Sequence, residues 1–567
     1  MNSPLDRFLP ISSIAYFTME IALRPEMHTY SGGLGVLAGD TARSAADLNL
    51  PEVFVTLVSR QGYLRQEIDA AGRQVDQPAP WNPEEWCEQL NAMVAVTIEG
   101  RRVWIRPWLY RCTSPLGHVV PVILLDTDID ANDPMDRPIT DRLYGGDSRY
   151  RLKQEAVLGI GGTRMLQALG FSIQIYHMNE GHAAFLTLEL LRRFPRRSNR
   201  REAGGRAYDA SPVLSRCLFT THTPVEAGHD RFPYPLVQEV VGDLIELEEL
   251  RIYAGVDDCN MTRLALNLSG YVNGVAVRHA ETTQQMFPGY RVAAITNGVH
   301  AARWAYPAIA RLFDKHIPHW AHEPELLFHA DYLPDADITA AKREAKDHLV
   351  RLTEEMTGVK LDPELPIFSF ARRMTGYKRP GLLLSDPERL KAIARKYPFQ
   401  VVWAGKSHPA DSAGKAVIEA INQATKALSA EIPMVYLQNY DTRIAEVLVA
   451  GADVWLNTPK PPQEASGTSG MKAALNGTLN LSTLDGWWVE AWIEDVTGWS
   501  IGNDGFAETE ADHATDLYDK LEQKVLPLYA KDRDRWTWMT KQSISKIAAY
   551  FNTQRMMRRY TSEAYLR

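Results

Sequence analysis

Apolar and polar positions along the chain change in blocks. Short runs rich in β-branched and aromatic residues read as strands: IAYFT (14–18), VFVTLV (53–58), IQIYHM (173–178), RCLFTTH (216–222) and VAAIT (292–296). Helix-period stretches such as 152–169 and 235–254 lie between them. The rhythm recurs with strands PIFSFA (366–371), QVVWAG (400–405), MVYLQ (434–438), ADVWLN (452–457) and TLNLS (478–482), and with helices over 336–356, 411–428 and 514–528. Such alternation predicts parallel sheets covered by helices. Segment 93–126 breaks it: MVAVTIEG, RRVWIRPWLY and HVVPVILLDT predict an antiparallel β insertion. Around 305–335 the pattern turns irregular and proline-bearing, which places a hinge there. The expected architecture is α/β, with two α/β units, 1–310 and 311–535, and a cleft between them. A final helical segment, 536–567, is expected to cross back onto the first unit.

Composition narrows the class. The chain has 567 residues, and at roughly 100–200 residues per domain it needs more than one. Hydrophobic residues make up 45% and charged residues 23%, ordinary for a soluble globular protein. A net charge of −8 disfavours a nucleic-acid partner. No apolar run is long enough to span a bilayer, and MNSPLDRFLPISS lacks the charged start and apolar centre of a signal peptide. Cys87, Cys112, Cys217 and Cys259 form no CxxC pair, so free thiols in a reducing cytoplasm are expected. The stretch RRFPRRSNRREAGGR (192–206), with seven arginines, reads as a solvated loop, a polyanion patch being the minority reading.

Candidate chemistry sits where strands end. YSGGLGVLAGD (30–40) places Gly33 and Leu34 before a helical stretch, suited either to backbone approach by an anion or to a tight turn. FSFARRMTGYKRP (368–380) runs a strand into Arg372, Arg373, Lys378 and Arg379, where cations suit phosphate or form an exposed basic loop. YHMNEGHAAF (176–185) offers Glu180 and His182, FTTHTPVEAGHDRF (219–232) His222, and TNGVH (296–300) Asn297. Neither histidine segment has HExxH, and no metal site is expected. Fixed polar groups at successive strand ends suit sugar hydroxyls. In EASGTSGMKAALNG (464–477) the N–H groups of 467–470 are placed to meet a phosphate, and Lys472 lies one residue into a helix between apolar neighbours. Such neighbours lower an amine's pKa, although most lysines on helices are surface residues.

The wording of these segments carries a resemblance. EASGTSGMKAALNG with LDGWWVE resembles the pyridoxal-phosphate segment of glycogen and α-glucan phosphorylases, and YSGGLGVLAGD, YHMNEGHAAF, THTPVEAGHDRF, ITNGVHAARW, FARRMTGYKRP, VVWAGKSHPAD and LQNYDTRIAEVLVAGADVW follow the family's order. The chain resembles the family's short microbial branch. The resemblance implies a GT-B fold, with 1–310 as a Rossmann-like glucan-binding domain and 311–535 as a Rossmann-like pyridoxal-phosphate domain. It implies phosphorolysis of α-1,4-glucan at the non-reducing end to glucose 1-phosphate, with retention, using inorganic phosphate and the phosphate of pyridoxal phosphate. Lys472 would carry the cofactor, with Arg372, Thr468 and Ser469 at its phosphate and Trp304 and Tyr440 lining it. Arg373, Lys378, Gly33 and Leu34 would hold the substrate phosphate. Glu464, Ser466, Gly467, Asn297 and His222 would bind the glucosyl unit, and Glu180 and His182 would face the glucan. By analogy with family members a homodimer is expected. The competing readings are a GT-B nucleotide-sugar glucosyltransferase resembling glycogen synthase, and an inactive glucan-binding regulator.

Overall fold

The computed structural model describes residues 4–196, 206–242, 244–503 and 508–566. Most of the arginine-rich stretch, residues 197–205, lies outside them.

Two sheets organise the chain. The first contains β1 (Ile14–Thr18), β2 (Glu52–Leu57), β3 (Val94–Ile98), β4 (Arg101–Thr113), β5 (Val119–Asp126), β6 (Ile175–Asn179), β7 (Cys217–Thr220), β8 (Tyr271–Gly274) and β9 (Ala293–Ala294). Their spatial order is β9-β8-β7-β6-β1-β2-β5-β4, with β3 paired to β4. Pairing is parallel from β9 through β5 and antiparallel at β4 and β3. The predicted insertion is therefore fused to the sheet edge, because β5 pairs β2 on one side and β4 on the other. The second sheet holds β10 (Ile367–Ala371), β11 (Gln400–Ala404), β12 (Met434–Leu437), β13 (Val454–Asn457), β14 (Leu479–Thr483) and β15 (Gly498–Ile501). Its order is β12-β11-β10-β13-β14-β15, parallel throughout. The central strands β1, β2, β10 and β11 are buried at every position. Burial on both faces explains why they read as unbroken apolar runs.

Helix Asp335–Thr357 shows how periodicity becomes packing. Ile338, Ala341, Ala345, Leu349 and Thr353, three or four apart, are its buried stripe. It stops at Gly358, which takes the left-handed conformation (φ +74°) and donates its N–H to Glu354 O.

The end of the chain lies on the first sheet. Helix Thr553–Tyr560 is capped by Asn552, whose side chain accepts from Arg555 N at 2.8 Å. Met556, Met557 and Tyr560 share a core with Ile14, Leu218 and Tyr271. The Tyr565 hydroxyl lies 2.8 Å from His177 Nδ1 on β6. The approach is tight: a Cβ on Gly298 would lie 2.3 Å from the Asn552 backbone. The Arg555 guanidinium donates to Thr296 O at 2.8 Å and Asn297 O at 3.1 Å, fixing the TNGVH turn from behind.

Candidate functional site

Strand β13 ends at Asn457, and the chain runs through Glu464–Thr468 into helix Ser469–Leu475. Lys472 is the fourth residue of that helix, a full turn in rather than one residue in, because the helix starts at Ser469. The extra turn buries it, leaving 7% exposed. Burial drives the amine down to about 8, with Arg303 adding to the shift and Asp40 opposing it. Nζ lies 3.9 Å from the centroid of the Trp304 ring, whose Nε1 donates to Asp40 Oδ2 at 2.8 Å. Trp304, Met471, Trp487, Tyr30 and Tyr440 belong to one apolar cluster around this end of the helix. The amine makes no hydrogen bond among the described residues. A buried amine free of hydrogen bonds to its described neighbours, and shedding its proton this readily, is suited to attack a carbonyl.

The second group stands at the end of β10. Arg372 Nη2 donates to Glu464 Oε2 at 2.7 Å, and Lys378 Nζ to the same oxygen at 2.5 Å. Burial opposes ionisation of Glu464, but Arg372 and Lys378 outweigh it and hold the carboxyl below the usual range. Arg372 keeps Nε and Nη1 buried without a partner among the described residues. Arg373 is exposed and makes no hydrogen bond to this group. Asp485 supports Glu464 from below, accepting its N–H at 2.8 Å and that of Gly486 at 2.9 Å. Burial pushes Asp485 up to about 7, the two N–H bonds oppose it, and the Glu464 charge adds to it. Gly467 adopts φ +78°, and Ser466 Oγ donates to its carbonyl at 3.1 Å. Thr468 is half-buried before the helix, and Ser469 Oγ accepts from Trp455 Nε1 at 3.2 Å. Tyr440 is half-buried, and Arg372 partly offsets the upward push of burial on its phenol.

The first sheet supplies a third group. Glu180 follows β6 with a positive φ (+73°), unusual for a residue with a Cβ. Its carboxyl accepts from His222 N at 2.7 Å, Thr223 Oγ1 at 3.0 Å and Gly181 N at 3.1 Å, yet burial pushes it up to about 7. His222 Nε2 lies 2.6 Å from Asn179 Oδ1. His182 Nε2 lies 3.6 Å from Asp230, and its Nδ1 is buried without a partner among the described residues. Asn297 Oδ1 is likewise buried and unpartnered. Gly33 and Leu34 open helix Gly33–Asp47, and Glu20 Oε2 accepts the N–H groups of Ser31 and Gly32 just ahead of them.

The structure thus joins Glu464 to Arg372 and Lys378, Lys472 to Trp304, and Glu180 to His222. No hydrogen bond among the described residues ties Arg373 or the Glu180–His222 pair to Glu464. Asp40, Asp485 and Glu20 were missed by sequence reasoning. Two of them stand inside quoted segments, Asp40 closing YSGGLGVLAGD and Asp485 opening DGWW, and an acidic residue ending a glycine-rich segment was the available signal. Among the described residues no cluster of histidine, cysteine or acidic side chains is placed to hold a metal ion, and no helix is long and apolar enough to cross a membrane.

One pH response follows from burial. It drives His177, His182 and His222 from the ordinary 6.5 down to about 3 and His279 to about 4. The unfolded chain takes up these protons first, so the histidine contribution to stability is full above about 6.5 and is lost as pH drops towards 3. Glu180 and Asp485, both pushed up to about 7, act in the opposite sense as pH falls, so the difference between proteins is what reports His177: His177→Gln is expected to lose less of its urea midpoint than the wild type between pH 6.5 and 3. An unchanged slope in the variant would remove His177 from the account.

Fold and site together place two cations around a carboxylate, and a buried amine, beyond the ends of parallel strands. The chain belongs to the carbohydrate phosphorylase family, whose sequence profile matches residues 209–498. It is 38% identical to the maltodextrin phosphorylase of Thermococcus litoralis over 97% of this chain and 70% of that protein. It is 36% identical to the glycogen phosphorylase of Mycobacterium tuberculosis over 98% of this chain and 71% of that one. Identity to the glycogen phosphorylase of Aquifex aeolicus is 32%, over 97% and 86% respectively. The two sheets, the second parallel throughout and the first from β9 through β5, are the GT-B pair that the resemblance implies.

Proposed function

We propose that the protein is an α-glucan phosphorylase. It transfers the terminal glucosyl unit at the non-reducing end of an α-1,4-glucan to inorganic phosphate, reversibly, giving α-glucose 1-phosphate with retention. Relatives named maltodextrin and glycogen phosphorylase support the reaction. The observation that carries it is the Arg372–Glu464–Lys378 cluster in the same half of the chain as the buried Lys472 amine.

The residues present suit pyridoxal phosphate. Lys472 offers a buried amine without a hydrogen-bond partner among the described residues, and Arg372 offers two guanidinium nitrogens that are orphaned there. In this reading Lys472 holds the cofactor, Trp304 and Tyr440 flank it, and Arg372 with the N–H groups of Thr468 and Ser469 holds its phosphate. When bound, the cofactor supplies a phosphate that shares a proton with the substrate phosphate. Arg373, Lys378 and the Gly33–Leu34 backbone hold the substrate phosphate. Glu464, Ser466, Gly467 and the unpartnered Asn297 Oδ1 take the glucosyl hydroxyls. His222 stays neutral at physiological pH and so meets the sugar without adding charge. Glu180 and His182 face the glucan. Close packing of anions requires this density of preorganised positive charge. The working division is 1–310, 311–535 and 536–567, with the reaction between the first two.

The test is glucose 1-phosphate formation from maltodextrin and phosphate, with and without added pyridoxal phosphate. Product formation that depends on the cofactor is expected. Transfer from ADP- or UDP-glucose with no cofactor requirement would replace this reading with a nucleotide-sugar glucosyltransferase.

A further inference from the structure

The antiparallel hairpin Arg65–Ile68 with Gln74–Gln77 carries two buried glutamines that the proposed chemistry does not use. It leaves the first sheet after β2 and reaches the second. Gln66 and Gln74 are 1% and 7% exposed and sit side by side, Gln66 Nε2 donating to Gln74 Oε1 at 2.8 Å. Both then bond to loops beyond the carboxyl ends of β11 and β12. Gln66 Nε2 also donates to Gly405 O at 2.8 Å. Gln66 exchanges two bonds with Asn439, its N–H to Oδ1 at 3.1 Å and its Oε1 from the Asn439 N–H at 2.9 Å. Gln74 exchanges two with the Ser407 backbone, accepting at 3.0 Å and donating at 2.9 Å. With the further bond from Gln74 Nε2 to Asp76 Oδ1 at 2.7 Å, both side-chain amides have every N–H in use. Buried amides this fully satisfied fix geometry, since any slip leaves polar groups unpaired.

What they fix borders the cation loop. Arg372 N donates to Ala404 O at 3.2 Å, and Met374 N to Lys406 O at 3.0 Å. A Cβ on Gly405 would lie 2.1 Å from Arg372 O, so the two backbones have no slack between them. Movement of Gly405–Ser407 therefore moves Arg372–Met374. We propose that Gln66 and Gln74 are positioning residues for phosphate use: by clamping Gly405–Ser407 from the other half of the chain, they set where Arg372 and Arg373 present their guanidinium groups. The proposal rests on the phosphorylase reading for what those two arginines bind.

Gln66→Met with Gln74→Met preserves bulk and removes the side-chain polar contacts. The phosphate KM is expected to rise about tenfold or more while the maltodextrin KM stays within about twofold. Hydrogen exchange at the Arg372 and Met374 amides is expected to quicken in the same variant without substrate. If the double variant does not fold, Gln74→Met alone removes both bonds to the Ser407 backbone and is read in the same two ways. Unchanged exchange at 372–374, or an equal rise in both KM values, overturns the clamp. A wild-type enzyme that makes no glucose 1-phosphate defeats the phosphorylase reading instead, and the exchange measurement still decides the clamp.

Discussion

Lys472→Ala is expected to abolish retention of pyridoxal phosphate and to lower kcat by about a thousandfold or more, with the fold intact. The two halves of that expectation have separate physical reasons. The amine is the only group at this position that can bond to an aldehyde, so its loss removes the attachment. Its contribution to the unliganded fold is a different matter. Burial holds the amine near 8 instead of 10.5, so the native state below pH 8 keeps a charge in an apolar box at a cost of about 3 kcal/mol. The sign is fixed by linkage: stability rises as pH climbs from about 8 to 10.5, where the unfolded amine is still protonated and the native one is not. Alanine removes that cost. It also removes the contact with Trp304 and leaves a small cavity, worth about 1–2 kcal/mol in the other direction. The unfolding midpoint of the apoprotein should therefore hold or rise. Bound cofactor after desalting, kcat and the urea midpoint check the three parts. A variant that binds cofactor and turns over like the wild type would end the assignment of Lys472, and a large loss of stability would make it a structural lysine.

The same burial explains what could be read from the chain and what could not. IAYFT and PIFSFA were legible as strands because both faces of each are covered, which forces unbroken apolar runs. The strand Gly498–Ile501 was passed over: it is short, and it begins at a glycine with φ +150° pressed against Asn480 O. The clamp hairpin was invisible for the opposite reason. RQEI and QVDQ are polar, and polarity reads as solvent exposure unless the partner is known. Stretch 235–254 read as one helix, but Gly242 at φ +68° ends the first helix at Val241, and a second runs Leu247–Ala254. Lys472 and the cations of β10 drew attention by their place after strands. The pairing of Glu464 with Arg372 and Lys378 was not, because it joins positions 86 and 92 residues apart through the side-by-side packing of β10 and β13.

That pairing makes the second large effect one of opposite signs. Glu464→Gln is expected to lower the phosphate KM about tenfold while cutting kcat/KM for the glucan about a hundredfold. The carboxylate now neutralises one of two cations, at 2.7 Å and 2.5 Å. An amide of the same shape leaves both charges uncompensated. A unit charge about 4 Å from an anion is worth about 4 kcal/mol at the effective dielectric of partly buried pairs, so even strong screening leaves a tenfold gain in anion affinity. The glucan loses by the same substitution, since a charged acceptor for its hydroxyls becomes a neutral amide. Stability reports the change independently. Breaking a buried ion pair from one side costs about 3–5 kcal/mol, and phosphate restores part of it by binding only the native state. The variant's melting temperature should therefore climb further with added phosphate than the wild type's. If phosphate raises both proteins equally and the phosphate KM rises in the variant, Glu464 does not compete with the anion, and the cations of β10 must be held for another purpose.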